Sequence, residues 1–574
     1  GVDVRRLRDE LLQTQDAGGP RGQFNFGNNQ TSVSGAAVQA QVNGLASFLV
    51  DTPSSIQRDL AVQFPAYRAV MMFSYLQDKW QVSPKLTVDF GVRHDFYPPA
   101  TPRLKGGFSN YDPSNNTLVV AGYGNNPMNL GRKTYYTGFA PRIGFAYRVD
   151  PKTVVRGGFG LSWIPFPDNS YAYNFPVKQT NAYPNTNTFG QAVSPTGALL
   201  SMATGFPAPT PAIIPDNGII NASTPALLSS NIASYIPLDY HEGYIQTWNI
   251  ALQRQLPKNF SLDVAYVANH TVRAPVNYNL NASFLFNSGS NGKPFFVKYN
   301  KNTDINYRYA GYSNNYNSMQ VKLDRRFSGG FLMTTAYTWG RALGYSAEDG
   351  GLWNYIQPRR SYARLDFDRS HTFVQSYVWE LPFGKGKKLL HDGVGRWIAG
   401  GWQINGVFSL MTGRPLTFGT NVSANTPGSS FTPDMVTDVH ITHVVAGTVG
   451  TATWIDTTGC VPVVTASCFL KQPLEPDGKT PHWGNAGRNS FSGPGLGNVD
   501  LSLFRKFDIG ERVKLEFRAE STNFTNTPAF ANPNLTLGDA NFGKITGTLA
   551  GLISNQGVGG TGPRAINLGL KLTF

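Results

Sequence analysis

At 574 residues the chain exceeds one ordinary soluble core, yet no stretch has the composition of a flexible linker between two compact domains. Aromatic residues make up 13% and charged residues only 15%, with 61 glycines and abundant asparagine, a mixture that favours strands and turns over helices. The formal charge of +14 is scattered, and no dense Lys/Arg tract with interleaved aromatics occurs, so the excess suits anionic lipid or acidic ligands and not nucleic acid. No apolar run reaches the roughly eighteen residues of a membrane helix.

The opening "GVDVRRLRDE" from Gly1 reads as a strand with no signal peptide before it, which predicts a fragment lacking its N-terminal part. "KLTVDFGVRHD" from Lys85 follows with period-two alternation. In "FAPRIGFAYRV" Phe139, Ile143, Phe145 and Tyr147 oppose Arg142, Gly144 and Arg148, and in "FSLDVAYVAN" Phe260, Leu262, Val264 and Tyr266 oppose Ser261, Asp263 and Ala265. "NSMQVKLDRRF" from Asn317, "FLMTTAYTWG" from Phe331 and "GWQINGVFSL" from Gly401 repeat the pattern. "RVKLEFRAEST" sets Val513, Leu515, Phe517 and Ala519 against Lys514, Glu516, Arg518 and Glu520, and the chain closes on the strand-like "NLGLKLTF". Each segment has about the ten residues that a tilted strand needs to cross a bilayer.

Alternation also occurs in soluble sandwiches, so the connections must discriminate. Brief joints, "VSPK" at 82, "VDPK" at 149, "LPKN" at 256, "SGG" at 328 and "DIGE" at 508, alternate with long Asn/Gly/Pro/Ser/Tyr-rich segments near 98–138, 164–244, 271–316, 343–370, 413–496 and 525–563. A longer joint, 381–400, falls on the short side of the count. Loops this long are unusual in compact soluble domains, whereas outer-membrane barrels have tight turns at one end and extended loops at the other. The expected fold is all-β: a transmembrane antiparallel β-barrel portion of about fourteen strands, ending on the short-turn side at Phe574, its last strand paired to close the cylinder. Tyr75, Trp80, Trp163, Trp248, Trp339, Trp379 and Trp402 near strand ends fit interfacial girdles; the alternative is core aromatics of a soluble β protein.

Catalytic patterns are lacking. "HEGYI" at His241 has no second histidine, "FGKGKK" at 383 lacks phosphate-loop spacing, no GxSxG occurs, and "DFDR" at 366 reads as a loop-to-strand junction. "HITH", His440 to His443, with His482 elsewhere, has no supporting carboxylate or thiolate cluster, so neither metal nor cofactor is expected. Cys460 and Cys468 are a poor metal site as a pair, and a local disulfide in an oxidising compartment is the expectation. Candidates for a polar lumen are Arg93, Arg142, Arg148, Lys322, Asp324, Lys514, Glu516, Arg518 and Glu520, where opposite charges brace the wall and hold a plug. Loop aromatics Tyr171, Tyr173, Tyr307, Tyr309, Tyr312, Tyr316, Trp353 and Tyr355 are candidates to stack on a sugar or a chelate, with packing inside the loops as the alternative.

Several stretches together carry a family likeness: "YLQDKWQVSPKLTVDFGVRHD" (75 to 95), "PRIGFAYR" (141 to 148), "DFDRSHTFVQSYVWELPFGKGKK" (366 to 388), "GNAGRNSFSGPGLGNVDLSLFRKFDIGERVKLEFRAESTNFTNTPAFANPN" (484 to 534), "FGKITG" (542 to 547) and "GPRAINLGLKLTF" (562 to 574). They resemble the barrel of TonB-dependent receptors, in particular the Oar-like group with an N-terminal carboxypeptidase-regulatory-like domain. The resemblance implies a barrel of about twenty-two strands holding a plug pulled by a TonB-type energy coupler. Residues 1–574 are then a partial barrel, with signal peptide, regulatory domain, plug and first strands absent. It further implies an outer-membrane monomer set among lipid and lipopolysaccharide, an extracellular substrate of siderophore, cobalamin-like, glycan or peptide class, and Phe574 as the signal read by the barrel-assembly machinery. The expected function is energy-coupled uptake without enzymatic chemistry. The alternatives are a surface adhesion protein anchored by a passive barrel and, more distantly, a secreted β-rich enzyme or carbohydrate-binding protein.

Overall fold

The computed structural model describes residues 1–10, 19, 21–27, 30–31, 40–60, 66–166, 174–177, 179–184, 190–194, 196–208, 212–224, 227, 233–283, 285–346, 350–390, 392–422, 431–442, 452–509, 513–549 and 562–574. Fourteen long strands form one wall: β1 (Val2–Asp9), β2 (Tyr67–Gln81), β3 (Leu86–Phe96), β4 (Phe139–Asp150), β5 (Thr153–Trp163), β6 (Tyr244–Leu256), β7 (Phe260–Asn279), β8 (Asn306–Ser328), β9 (Phe331–Gly344), β10 (His371–Glu380), β11 (Trp402–Met411), β12 (Leu496–Asp508), β13 (Lys514–Thr522) and β14 (Ala565–Thr573). Each pairs antiparallel with the next in chain order. Three short segments, Thr101–Pro102, Ser234–Tyr235 and Ala363–Arg364, extend this sheet to seventeen strands.

The register carries two faces unbroken along the wall. Arg142 lies opposite Gly160, Gly160 opposite Thr247, Thr247 opposite Asn269, Asn269 opposite Tyr316, and Tyr316 opposite Ala342. Further along, Ala336 leads to Val374, Ser409 and Asn498. Because side chains alternate strictly between faces, Arg93, Arg148, Lys322, Asp324, Lys514, Glu516, Arg518 and Glu520 share this face with Arg142. The opposite face carries Phe145, Phe159, Ile250, Tyr266, Val321, Leu503 and Leu568. Val321 and Leu503 are half-buried, and the other five are solvent-exposed in the wall, Leu568 at 73% and Ile250 at 52%, so this apolar surface requires a surrounding hydrocarbon. Trp163, Trp248 and Trp339 stand on this outward face toward the long-loop end, and Trp80, Trp379 and Trp402 toward the short-turn end.

Three expectations are corrected. Tyr75 pairs opposite Arg93 and so faces inward, away from the girdle. Among the described residues no backbone pairing joins β1 to β14, and β14 is paired on its β13 side alone, so the expected closure is not made by these strands. The 271–316 segment is not all loop: β7 and β8 run 20 and 23 residues, about twice the length that crosses hydrocarbon, and carry Tyr307, Tyr309, Tyr312 and Tyr316 on a strand.

The buried cores lie in the loop layer. One surrounds Phe418, Phe491, Leu537 and Phe542 and includes Cys460 and Cys468, which the structure joins in a disulfide. Others gather Tyr111, Leu118 and Phe175, and Tyr67, Phe108 and Ile236. Arg488, buried among these loops, makes a two-pronged contact to Asp366 at 3.0 and 3.1 Å and donates to the carbonyls of Tyr345 and Ser361, tying the 413–496 loop to the 343–370 loop.

Candidate functional site

The inward face is a ladder of charge. Lys322 meets Asp324 at 2.8 Å, while Asp263, opposite Lys322, takes Arg156 from β5 at 2.8 Å. Arg93 contacts Asp95 at 2.6 Å, and its guanidinium and that of Arg5 lie 4.7 and 5.2 Å from the ring of Phe73. Arg518 and Lys506 converge on Glu516, the lysine at 3.8 Å. The water-exposed pairs among them, Lys322–Asp324 and Arg156–Asp263, contribute about 0–1 kcal/mol each. They make the face wettable more than they stabilise it. Arg156 and Arg5 belong to this set although the sequence reading did not single them out, and so does Asp263, which it placed on the polar face of its strand without counting it for the lumen.

At the long-loop end a file of tyrosines runs over β8 and its neighbours. Tyr235 stacks on Tyr307 at 5.3 Å, Tyr307 meets Tyr309 at 5.6 Å, Tyr309 meets Tyr312 at 5.5 Å, Tyr312 meets Tyr345 at 4.4 Å, and Tyr345 meets Tyr362 at 5.2 Å. Positions 309 and 312 would sit on opposite faces of a regular strand. The register shifts here: Ala310 faces Pro275 and Tyr312 faces Ala274, leaving Gly311 as an extra residue. A Cβ on Gly311 would stand 2.2 Å from the Tyr309 ring, so glycine is what lets the file continue. Tyr355 packs edge-on against Tyr278 at 5.5 Å, and Arg360 lies 5.9 Å from the Trp353 ring. Tyr171 and Tyr173 lie outside the described residues. Tyr309 and Tyr362 keep 38% and 39% exposure, which leaves ring surface for a ligand.

Beside β1, β2 and β3 the loops cover a cavity of about 430 Å³. Arg5, Phe73 and Arg93 form its wall side, and Arg132, Phe166 and Glu242 its loop side. Arg132 is 3% exposed, its guanidinium 4.1 Å from the Phe166 ring and 5.4 Å from the Tyr240 ring. One of its terminal nitrogens, Nη2, approaches the Glu242 carboxylate at 3.5 Å, while its Nε and Nη1 have no hydrogen-bond partner among the described residues. Burial raises the Glu242 carboxyl above its ordinary range despite Arg132 beside it, and pushes the Tyr240 phenol up to about 12. Two orphaned donors on a buried cation are costly unless an acceptor completes them. The cavity is therefore suited to an acidic group flanked by aromatic surface. Sequence reading missed it: Glu242 had appeared only as part of an incomplete zinc motif, and Arg132 sits in a loop without periodicity.

Among the described residues no group of three or more His, Cys, Asp and Glu side chains is arranged to hold a metal. His482 contacts Asp434 at 2.6 Å and Glu475 at 3.5 Å. His443 falls outside the described residues.

An outer membrane beta barrel domain family matches residues 1–555. The chain belongs to this outer-membrane β-barrel family. The outward apolar face is thus the lipid face of an outer-membrane wall, and the inward charged face is its lumen. No curated protein matches the barrel. Among solved structures it is similar to the ferripyoverdine receptor of the outer membrane of Pseudomonas aeruginosa bound to ferripyoverdine, at 9% identity over 83% of this chain and 37% of that one, with a TM-score of 0.38. It is likewise similar to the ferric-catecholate import receptor Fiu from K12 E. coli, at 10% identity over 94% and 47%, TM-score 0.36. The siderophore receptor PiuA from Acinetobacter baumannii follows at 8% identity over 91% and 44%, TM-score 0.37. The barrel spans less than half the length of these three chains. Likeness at this level says nothing of what this barrel carries.

Proposed function

We propose that the barrel is the wall of a TonB-dependent outer-membrane receptor that captures a scarce nutrient at the long-loop end and passes it through the lumen. The observation that carries this reading is the Arg132 cavity, with its unpaired donors, between the loop layer and the charged inner face. A passive anchor has no need of a buried cation held short of acceptors where loops meet lumen. The tyrosine file supplies a second, sequence-tolerant surface for an aromatic or sugar-like ligand. A nutrient bearing an acidic group, of the siderophore, glycan or peptide class, fits both features. The two wall edges unpaired among the described residues support a wall continued by further strands, because a sheet edge in hydrocarbon leaves polar groups unsatisfied. A plug, a coupling protein and assembly through Phe574 belong to the same proposal, as does a monomeric state.

The test is uptake by cells carrying the intact protein with Arg132→Met or Tyr312→Ala, grown on single nutrient sources. A charged hydrogen bond contributes about 1.5–3 kcal/mol, so Arg132→Met should weaken capture of an acidic nutrient about tenfold or more. Undiminished uptake on every source, with adhesion lost when 413–496 is deleted, would instead favour the surface-adhesion reading.

A further inference from the structure

The joint between β10 and β11 is unlike the other short turns. It spans residues 381–401 and contains a helix, Gly393–Ala399, none of whose residues is buried. Three apolar side chains, Val394, Trp397 and Ile398, follow the spacing of a single helix face and are 74%, 72% and 59% exposed. Leu389 and Leu390, just before the helix, are 52% and 50% exposed. The short turns at 82 and 508 expose one large apolar side chain each, Val82 and Ile509, whereas this joint gathers five, which need a partner.

The helix is fastened to the lipid side of the wall. The indole nitrogen of Trp402 donates to the Ile398 carbonyl at 3.1 Å, and the Arg505 guanidinium donates to the Trp397 carbonyl. Trp402 and Arg505 lie opposite each other on the outward face, in register with Ile404 and Leu503. Arg505 also stacks on the rings of Phe507 at 4.2 Å, Trp402 at 5.1 Å and Trp397 at 5.9 Å. An outward arginine over aromatic rings at a strand end is the arrangement by which a cation keeps its stem in hydrocarbon and its head among polar lipid groups. Arg325 repeats it at the same end, 5.5 and 5.0 Å from the rings of Phe260 and Phe331. The joint itself carries Lys385, Lys387, Lys388 and Arg396 against a single carboxylate, Asp392. Lys387 is held by Glu380 at 2.6 Å, while Lys385 and Lys388 are exposed.

We infer that Leu389, Leu390 and residues 392–402 form an interfacial foot, laid on the anionic headgroups of the leaflet at the short-turn side, with Val394, Trp397 and Ile398 immersed. Its apolar side chains adjoin the lipid face of β11 and β12 at Trp402 and Arg505, and the cations beside it, Lys385, Lys388 and Arg505, complement acidic phospholipid. A protein partner would have to share that surface with the membrane edge. The lumen is excluded as the destination, because both anchoring side chains lie on the opposite face of the wall.

The two cysteines of this chain are bonded to each other, so single thiols can be introduced for labelling. Nitroxides at Val394→Cys and Ile398→Cys, in intact protein reconstituted into phosphatidylglycerol-containing bilayers, would be compared with Leu501→Cys as a lipid standard and Lys385→Cys as a polar one. The expected result is oxygen access as high as at Leu501 and loss of access to a water-soluble nickel chelate, while the Lys385 label stays open to the chelate. Chelate access at both 394 and 398 equal to that at Lys385 would overturn the foot. Neither result depends on nutrient capture, so failure here leaves the receptor reading standing.

Discussion

Replacing Leu501 with arginine measures the cost of the wrong side chain on the lipid face. Leu501 lies in β12 opposite Gly406 and Ser521, four residues before Arg505, whose head reaches the polar lipid groups. At about 3.3 Å rise per residue and 40° tilt it stands about 10 Å from that level, close to the middle of a hydrocarbon band about 25 Å tall. Arginine at this depth costs about 2–4 kcal/mol. Its neighbour Ser502 points inward, opposite Asn405 and Glu520, where an arginine meets water and a carboxylate. Ser502→Arg is therefore expected within about 1 kcal/mol of the parent. Guanidinium unfolding titrations in lipid vesicles, read by tryptophan fluorescence, give both values. Equal penalties for the two variants, or a larger one at Ser502, would refute the assignment of faces.

Other consequences concern the loop layer. Arg488→Ala takes a donor from two loop carbonyls while Asp366, exposed and still bonded by Asn489, turns to water, and is expected to cost about 1–3 kcal/mol in that layer; limited proteolysis should then nick 343–370 and 413–496 while β12 to β14 stay intact. Reducing the Cys460–Cys468 bond, which spans a separation of 8 residues, removes about 2.5 kcal/mol of loop constraint and should expose the core around Phe418 to the same proteases. Lys301 is fully buried with no hydrogen-bond partner for its Nζ among the described residues, and burial lowers its pKa from 10.5 to about 8. Between those values the unfolded state holds more protons than the native one, so stability rises with pH through that window and is flat below it. Hydrogen-exchange protection of 280–305 should increase from pH 8 to pH 10, and Lys301→Met should abolish the slope and raise protection at pH 7.

The sequence was most legible where water and hydrocarbon act on opposite faces of one strand. There β4, β7 and β13 had to alternate, and their charged members could be placed in the lumen from sequence alone. Legibility failed where that contrast ends. Residues 306–316, "NYRYAGYSNNY", carry tyrosine and asparagine on both faces because the outer half of β8 stands clear of the bilayer, so they read as loop and proved to be strand. Tyr75 shows a second limit: an aromatic ring suits either interface or lumen, and only the register against Arg93 decides. The Arg132–Glu242 pair joins positions 110 apart in two loops, a contact made by tertiary packing with no local pattern to announce it. Helix 393–399 was hidden by brevity, since a single turn or two leaves no readable period.

The central claim is that alternate side chains of the wall meet lipid and water. Single cysteines at 498 to 504 along β12, challenged with a membrane-impermeant thiol reagent in sealed vesicles, test it directly. The account predicts modification at Asn498, Asp500 and Ser502 and protection at Val499, Leu501 and Leu503. Uniform modification, or protection that does not alternate, would contradict it.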